Sequence, residues 1–328
     1  MATIEDVAKL AGLSRSTVSR VINNHPYVTE KKKQLVYEAM KELDFFPNSS
    51  AQRLRKQKTD TIAVLVPSLT NPFFPFLIEG LENVAVENGL QLLICQTHQN
   101  KDKERNYLQL LQTKQVDGVI LTSLENDWHS IAPFKESGPI IMCNEYRSEA
   151  SIPVVRLNQI KGSYLGAKHL IEHGHKKIAY CGNDKGELGA DRQKGFRAAL
   201  VENNIEISEQ WIFRDDPSIE NGKRILKAIL ALEDKPTAIF AGSDEVAAGI
   251  IKEAKLHGLT IPHDLAVLGF DDLPIAQLVE PSLTTVRQPI KEMGQKTMEV
   301  MVSRLASQDQ EENTVIELPI ELIVRDSV

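Results

Sequence analysis

Cysteine is scarce in this sequence, and no hydrophobic run is long enough to cross a membrane. The 328 residues include three cysteines, Cys95, Cys143 and Cys181, and no Cys-x-x-Cys spacing. Buried free thiols in a reducing cytoplasm are the simplest interpretation. No apolar stretch approaches the roughly 20 residues that span a bilayer, and no basic segment followed by an apolar run begins the chain. We therefore expect a cytoplasmic, nucleoid-associated protein without membrane contact.

The sequence also lacks the motifs that mark many enzymes and metal sites. It contains no Gly-x-Gly-x-x-Gly, no Gly-x-x-x-x-Gly-Lys-Ser/Thr and no Gly-x-Ser-x-Gly. His173 and His175 flank a glycine, but no cysteine or carboxylate cluster is near them. Asp271 and Asp272 could form an acid/base pair, yet neighbours in an extended segment point to opposite sides. We predict that the protein is not an enzyme and uses no cofactor and no metal.

The net charge of -7 is unevenly distributed along the chain. Residues 1–59 carry 11 Lys and Arg against 6 Asp and Glu, so this segment is +5 and the rest is -12. A small basic module joined to an acidic body suggests that the module meets a polyanion such as nucleic acid. The alternative is an ordinary solvated basic face. A chain of this length also predicts two or three compact units.

Three short helices are predicted in the basic segment. Thr3 can cap the first helix with Asp6 in a capping box, and Gly12 ends it. Ser14 can cap the second helix, and Thr29 can cap the third. Two helices joined by a tight glycine turn, with a third in support, are typical of a helix-turn-helix DNA reader. The outward residues of the second helix are Arg15, Ser16, Thr17, Ser19 and Arg20.

These outward side chains suit the recognition of DNA. Arginine pairs bidentately with guanine in the major groove, and serine or threonine bonds to bases or phosphates. Arg15 and Arg20 could instead be ordinary exposed charges. A further helix-compatible segment, residues 49–56, has too little apolar surface to be stable alone. Leu54 in it could pack on the next domain, or it could wedge into a minor-groove base step with Arg53 and Arg55 on the phosphates.

From residue 61 onward, strand-like and helix-like segments alternate. Continuous apolar runs such as Thr61–Val66 are typical of parallel strands that are covered on both faces. Two such series, the second beginning near Val154, predict an α/β body of two lobes with parallel sheets flanked by helices and a cleft between them. Ligands of such sheets bind beyond the carboxyl ends of the strands.

That rule selects candidate ligand-binding residues. Residues that follow predicted strands include an aromatic pair, an arginine and carboxylates, which suit a ligand with several hydroxyls or ring nitrogens. The predicted effector contacts are Phe73, Phe74, Asn144, Glu145, Arg192, Ser243 and Asp271. Two alternatives stay open: Phe74 could belong to the core, and Asp271 could cap the turn that follows it.

Several long motifs resemble the lac/galactose repressor family of bacterial transcription regulators. They include residues 1–14, Thr17-Val18-Ser19-Arg20-Val21-Ile22-Asn23, Ala51-Gln52-Arg53-Leu54, Pro67–Phe74 and Leu268-Gly269-Phe270-Asp271-Asp272, and the resemblance runs to about residue 325. It implies an all-α helix-turn-helix domain followed by a two-lobed body like that of periplasmic sugar-binding proteins. It also implies that Phe73, Asn144, Arg192 and Asp271 line the effector pocket.

The resemblance further implies how the chain meets DNA. Arg15, Ser16 and Arg20 would face the bases, and residues 48–56 would form a hinge helix that folds on DNA, with Leu54 of each subunit at the operator centre. The predicted DNA contacts are Arg15, Ser16, Thr17, Ser19, Arg20, Asn23, Ala51, Arg53, Leu54 and Arg55. The expected partners are double-stranded operator DNA, a small-molecule effector and a second copy of the chain. We expect a homodimer because the tetramer-forming extension of some relatives is missing.

The implied domains are residues 1–47, a linker 48–59 and a body 60–328. Within the body we expect one lobe from about 60–157 and 288–315, and the other from about 158–287 and 316–328. The chemistry of the predicted pocket residues favours a sugar or sugar derivative as the effector. Where relatives that bind purines have polar side chains in the loop near residues 186–188, this chain has Gly186, Glu187 and Leu188, which argues against a purine. A purine-like corepressor, a phosphoprotein corepressor and a binding protein that does not touch DNA remain as alternatives.

Overall fold

The computed structural model describes residues 2–23, 25–46, 58–183, 186–214, 217–306 and 314–328. The predicted DNA contacts Ala51, Arg53, Leu54 and Arg55 lie outside these residues. The chain divides into two compact units, Met1–Lys58 and Thr59–Val328. Within the described part of the chain, no helix is both long and apolar enough to span a bilayer.

The N-terminal unit contains α1 (Ile4–Leu10), α2 (Arg15–Ile22) and α3 (Glu30–Glu42). Thr3 and Asp6 form a capping box at the start of α1, and Ser14 caps α2 with its side chain. Gly12 in the turn between them has φ 64°, a left-handed conformation that favours glycine. Thr29 stands at the N-cap of α3, although its side chain makes no capping hydrogen bond. The buried core consists of Val7, Ala8, Val18, Val21, Val36 and Ala39.

The second unit is a two-lobed α/β body, as the sequence predicts. Its strands are β1 (Thr61–Val66), β2 (Gln91–Gln96), β3 (Gly118–Leu121), β4 (Ile140–Cys143), β5 (Val154–Leu157), β6 (Ile178–Cys181), β7 (Ile212–Phe213), β8 (Ala238–Ala241), β9 (Ala266–Asp271), β10 (Thr284–Arg287), β11 (Val315–Leu318) and β12 (Glu321–Ile323). Its helices are α4 (Phe73–Glu87), α5 (Lys101–Gln112), α6 (Trp128–Ile131), α7 (Gln159–Glu172), α8 (Gly186–Glu202), α9 (Ile219–Leu230), α10 (Asp244–Leu256), α11 (Ile275–Leu278) and α12 (Ile290–Ala306).

The strands form two sheets, one in each lobe. The first sheet has the order β11-β5-β4-β3-β1-β2 and the second has the order β12-β10-β9-β8-β6-β7. All pairs are parallel except β10 and β12. Central strands such as β3, β4 and β8 are buried along their whole length, because helices cover both faces of each sheet.

The chain crosses between the lobes after β5, after β10 and after β11. The last crossing differs from the expected boundary at residue 315, because β11 pairs with β5 through Leu318 before the chain leaves the first sheet. Before β4, the short helix α6 gives way to a 3₁₀ helix over Ala132–Ser137. Pro133 lies at the start of that 3₁₀ helix and has no N–H to continue the α-helical bonding.

Candidate functional site

The second helix of the N-terminal unit presents a polar surface. Arg15, Ser16 and Arg20 are exposed, while Thr17 and Ser19 are half-buried. Arg15 lies 3.4 Å from a carboxylate oxygen of Glu5, and both side chains are largely exposed. A pair so open to water contributes little stability, so the guanidinium is available to another partner at small cost.

The remaining predicted DNA contacts of this unit make local hydrogen bonds. The Thr17 hydroxyl lies 2.9 Å from that of Ser14, so part of its bonding capacity serves the helix cap. The Asn23 amide donates to the Ser19 carbonyl oxygen at 2.6 Å and closes the end of α2. The Ser16 hydroxyl also lies 2.9 Å from that of Ser14, so these three side chains shape the ends of α2, whereas Arg20 is exposed on it.

A cavity of about 240 Å³ lies in the body, at the carboxyl ends of strands from both sheets. Its volume is slightly below the usual range of small-molecule sites, roughly 300–1,000 Å³, so it suits a small ligand. All seven residues predicted for the effector line it: Phe73, Phe74, Asn144, Glu145, Arg192, Ser243 and Asp271. Ser243 also caps α10 by accepting a hydrogen bond from the amide of Val246.

The first lobe supplies an aromatic wall and a strained turn. The rings of Phe73 and Phe74 meet edge to face at 5.2 Å, and Phe74 belongs both to the hydrophobic core and to the cavity lining. Asn144, directly after β4, has φ 71°, and its buried Oδ1 has no hydrogen-bond partner among the described residues. Such a conformation in a residue other than glycine costs free energy and is common at binding sites.

A carboxylate and a guanidinium follow that turn. Glu145 accepts a hydrogen bond from Arg147 at 2.6 Å. Burial raises the pKa of Glu145, and the neighbouring Arg147 opposes the shift. Arg147 also donates to the carbonyl oxygens of Tyr146 and Leu124, at 2.9 and 2.8 Å. Its charge is therefore satisfied by the protein itself.

The second lobe supplies Arg192 and Asp271. The Arg192 guanidinium stacks over the ring of Phe270 at 3.8 Å, and it donates to Gln159 and to the Gly242 carbonyl oxygen at 2.7 and 3.1 Å. Burial lowers the pKa of Arg192, an effect that Asp271 opposes. Burial raises the pKa of Asp271 to about 7, and both Arg192 and a hydrogen bond from Gln288 oppose that rise.

Asp244 and Asp272 lie near Asp271, but their carboxylates bind other residues. Asp272 forms ion pairs with Arg287 at 2.7 Å and with Arg325 at 2.6 Å. Asp244 is fully buried and accepts hydrogen bonds from the Thr285 hydroxyl and the Leu273 amide. Asp271 does not cap the next helix, because Pro274 holds the N-cap position of α11.

The lobes also contact each other directly at the mouth of the cavity. The amide and hydroxyl of Ser148, in the first lobe, donate to the two carboxylate oxygens of Glu187 in α8 at 2.8 and 2.5 Å. The Tyr146 hydroxyl donates to Asp191, also in α8. Burial, followed by that hydrogen bond, raises the pKa of Tyr146. We call these four residues the mouth latch.

Several lining residues are missing from the sequence-based prediction. Arg147, Gln288, Thr122, Ser123 and Asn183 line the cavity, and Gln159 bonds to Arg192. Thr122 and Ser123 follow β3, so the rule about strand ends could have found them. Gln288 and Gln159 also follow strands, β10 and β5, so the same rule could have found them. Gly186 and Leu188 also line the cavity, whereas Glu187 belongs to the mouth latch.

The cysteines and histidines form no reactive cluster. Burial raises the pKa of Cys95 to about 11 and that of Cys143 to about 12, which keeps both thiols protonated and unreactive at neutral pH. Among the described residues, no group of three or more His, Cys, Asp or Glu side chains could hold a metal ion.

Comparisons with known protein families match nearly the whole chain. Residues 3–48 match the family model of bacterial regulatory proteins, lacI family, and residues 59–326 match that of periplasmic binding proteins and the sugar binding domain of the LacI family. The NTD biosynthesis operon regulator NtdR of Bacillus subtilis (strain 168) is 42% identical over 328 residues, covering 100% of both chains.

Solved structures show the same architecture. A complex of the transcriptional regulator CelR with cellobiose is 29% identical, with a TM-score of 0.76 and full coverage of both chains. A lac repressor dimer bound to operator and the anti-inducer ONPF has a TM-score of 0.88 at 24% identity, covering 99% of this chain and 98% of that one. At that identity the likeness supports the fold.

Proposed function

Because the chain belongs to the LacI family and is a DNA-binding transcriptional regulator, we propose that it acts as a homodimeric repressor in the cytoplasm and is controlled by a neutral sugar or sugar derivative. One observation carries the effector part of the proposal. One cavity at the strand ends of both lobes gathers an aromatic pair, two arginines, three carboxylates and hydrogen-bonding atoms that have no partner among the described residues.

The polar groups of the cavity favour a ligand rich in hydroxyls. Asn144 Oδ1, Gln288 Oε1 and Ser123 Oγ are buried without a partner among the described residues, and at least two of these atoms can only accept. Arg147 is ion-paired with Glu145, and the charge of Asp271 acts on Arg192, among the described lining residues. These carboxylates offset the positive charge of the cavity, which favours a neutral ligand over a phosphate. The rings of Phe73 and Phe74 add an apolar face.

The DNA contacts follow from the N-terminal unit. We assign base or phosphate contacts to Arg15, Ser16, Thr17, Ser19, Arg20 and Asn23, because these side chains lie on α2 or at its end in the helix-turn-helix unit. The proposed roles of Ala51, Arg53, Leu54 and Arg55 rest on the family resemblance, since these residues lie outside the described ones.

Exposed leucines on the body support pairing of two chains. Leu256 is 73% exposed and Leu278 is 81% exposed. An ion pair of 3.8 Å between Lys255 and Glu280 brings the end of α10 near the segment after α11, so both leucines lie in one neighbourhood. Large apolar side chains exposed together are typical of an interface.

Selection from a random pool of double-stranded DNA tests the first part of the proposal. The purified protein should enrich a pseudo-palindrome whose half-sites are about one helical turn apart. A protein with Arg20→Ala should lose base preference at one position in each half-site. Failure to enrich any motif, with or without a cell metabolite extract, would contradict operator binding.

A thermal-shift panel tests the effector class. Ribose, glucose, cellobiose and other neutral sugars are compared with their phosphorylated forms, with purine bases and with a phosphorylated carrier protein. At least one neutral sugar should stabilise the protein and release the selected DNA, and Arg192→Ala should abolish that shift. If only a purine, or only the phosphoprotein, stabilises the protein, then that molecule is the corepressor and the sugar proposal is wrong.

A further inference from the structure

Two glutamines lie where the chain crosses between the lobes. Gln159 follows β5 of the first sheet and is the first residue of α7, which packs on the second sheet. Gln288 follows β10 of the second sheet and precedes α12, which packs on α4 of the first lobe. Any change in the angle between the lobes must rotate the backbone at these crossings.

Each crossover glutamine bonds to one charged side chain of the cavity. Gln159 Oε1 accepts from Arg192 Nε at 2.7 Å. The side-chain Nε2 of Gln288 donates to Asp271 Oδ1. The backbone N–H of Gln288 donates to the Asp271 carbonyl oxygen at 3.3 Å. The two crossings therefore touch the two charged residues of the second lobe that face each other in the cavity.

Both glutamines are buried, and each has one side-chain amide atom that makes no hydrogen bond to the described residues. Gln159 is 1% exposed and Gln288 is 4% exposed. Gln159 Nε2 and Gln288 Oε1 have no hydrogen-bond partner among the described residues. A buried polar atom without a partner costs free energy. A different lobe angle or a bound ligand could satisfy these atoms, which would make the two states differ in energy.

The residues around Gln159 anchor it to the first sheet. Asn158 caps α7 and donates to Glu317 in β11, at 3.2 Å. β11 is paired with β5 and leads into the third crossing. Gln159 is thus tied to the first lobe through its neighbour and to the second lobe through Arg192.

We propose that Gln159 and Gln288 are positioning residues that link ligand binding at Arg192 and Asp271 to the angle between the lobes. The proposal rests on the proposed function in taking these two charged residues as ligand contacts. A ligand that binds Arg192 or Asp271 alters the hydrogen bond of that residue to Gln159 or Gln288. The altered bond then changes the position of the glutamine and of the backbone at that crossing.

Full-length Gln159→Met and Gln288→Met proteins test the link, because methionine keeps the length of the side chain and removes the amide. Thr97→Val is the control, since Thr97 is a buried polar residue of the first lobe that contacts neither crossing. Nitroxide labels at Glu136→Cys and Val201→Cys, exposed positions on different lobes, report the lobe distance in dimers diluted with unlabelled chains. The probe is the neutral sugar that gives the largest thermal shift with the wild-type protein.

In the wild type and in Thr97→Val, the sugar should change the distance between the labels and release the selected DNA. In Gln159→Met that change should be lost although the sugar still gives a thermal shift, with sugar-free DNA affinity kept within about threefold. Because Gln288 also lines the cavity, Gln288→Met is compared at a sugar concentration that saturates it, and there too the distance change should be lost. Gln159→Glu keeps the acceptor for Arg192 and should retain the response, which a merely structural role of the amide would not require. A wild-type response in both methionine proteins would overturn the proposal.

The experiment also separates this proposal from the proposed effector class. If no sugar of the panel binds the wild type, the effector class is wrong, but the sugar-free label distances still test the link. The methionine proteins should then show a shifted or broadened distance distribution relative to Thr97→Val. Distributions identical to the control would contradict the role of the glutamines.

Discussion

At the scale of single residues, two strained strand ends and a buried acid meet at the cavity. Asn144 and Asp271, each at the end of a strand, have φ values of 71° and 116°. Asp271 is also 7% exposed and carries a carboxyl whose pKa is raised to about 7 by burial. Left-handed backbone and a buried acid both reduce stability, and proteins tolerate them mainly where a ligand is bound.

The raised pKa of Asp271 predicts how stability depends on pH. Its folded pKa of about 7 lies above its ordinary value, so its contribution to stability is complete below about pH 4 and is lost as the pH rises through 7. Asp271→Asn removes this titration. We expect the variant to be more stable than the wild type at pH 8, by no more than about 4 kcal/mol, with a smaller difference at pH 5.

Denaturant unfolding at both pH values measures this effect. Asp264→Asn is the control, because the Asp264 carboxylate accepts a hydrogen bond, from the backbone amide of Thr260, but is exposed. Equal gains in stability at pH 5 and pH 8 would show that Asp271 does not titrate in this range.

At the scale of elements, α9 and α10 pack at unusually short distance in the second lobe. Gly222 and Gly249 face each other across this helix pair, and a Cβ on Gly249 would overlap the carbonyl oxygen of Ile219. The overlap is with backbone, so no side chain can move aside. The position of α10 in turn fixes Ser243 at its N-cap and Asp244 in its first turn.

Gly249→Ala should therefore force the two helices apart. Alanine favours a helix, but overpacking a rigid contact costs about 1–3 kcal/mol, so a net loss of stability is expected. Lys252→Ala on the exposed face of the same helix should change stability by less than about 0.5 kcal/mol. Chemical denaturation compares the two proteins, and a Gly249→Ala protein as stable as the wild type would show that the helices can separate freely.

At the scale of the whole molecule, the mouth latch connects the two lobes directly. Glu187 receives both hydrogen bonds from Ser148, and the amide of Ser148 is one of the two donors. Glu187→Ala should release that amide, so its hydrogen exchange should become at least tenfold faster than in the wild type. Glu136→Ala, at an exposed position of the first lobe, which also contains Ser148, is the control. Unchanged exchange at Ser148 would mean that the latch does not hold the mouth closed.

The division into two units predicts separable activities. A protein of residues 59–328 keeps both sheets and the cavity but lacks the helix-turn-helix unit. It should bind the same sugar as the full chain, within about threefold in dissociation constant, and should show no affinity for the selected DNA. Calorimetry measures the binding of the sugar, and fluorescence anisotropy measures the binding of DNA. Retained DNA binding would place the DNA-reading surface in the body.

Sequence patterns predicted the helix-turn-helix unit and the βα alternation of the body, and the family match and the structure confirm both. They also selected seven residues that the fold gathers at one cavity. This worked because caps, glycine turns and hydrophobic periodicity are local, and because the ends of parallel strands share one edge of a sheet. The expected lobe boundary at residue 315 was too early, because β11 stays paired with β5 in the first sheet through Leu318.

The sequence by itself determined the elements, their order and the chemical types of side chain at each strand end. Only the tertiary structure decided which of these side chains meet. Arg192 bonds to Gln159 across 33 residues, and Asp271 bonds to Gln288 across 17. Such pairs depend on strand order, on register and on the angle at which two lobes close. Those quantities are set by packing between distant segments, and no local periodicity records them.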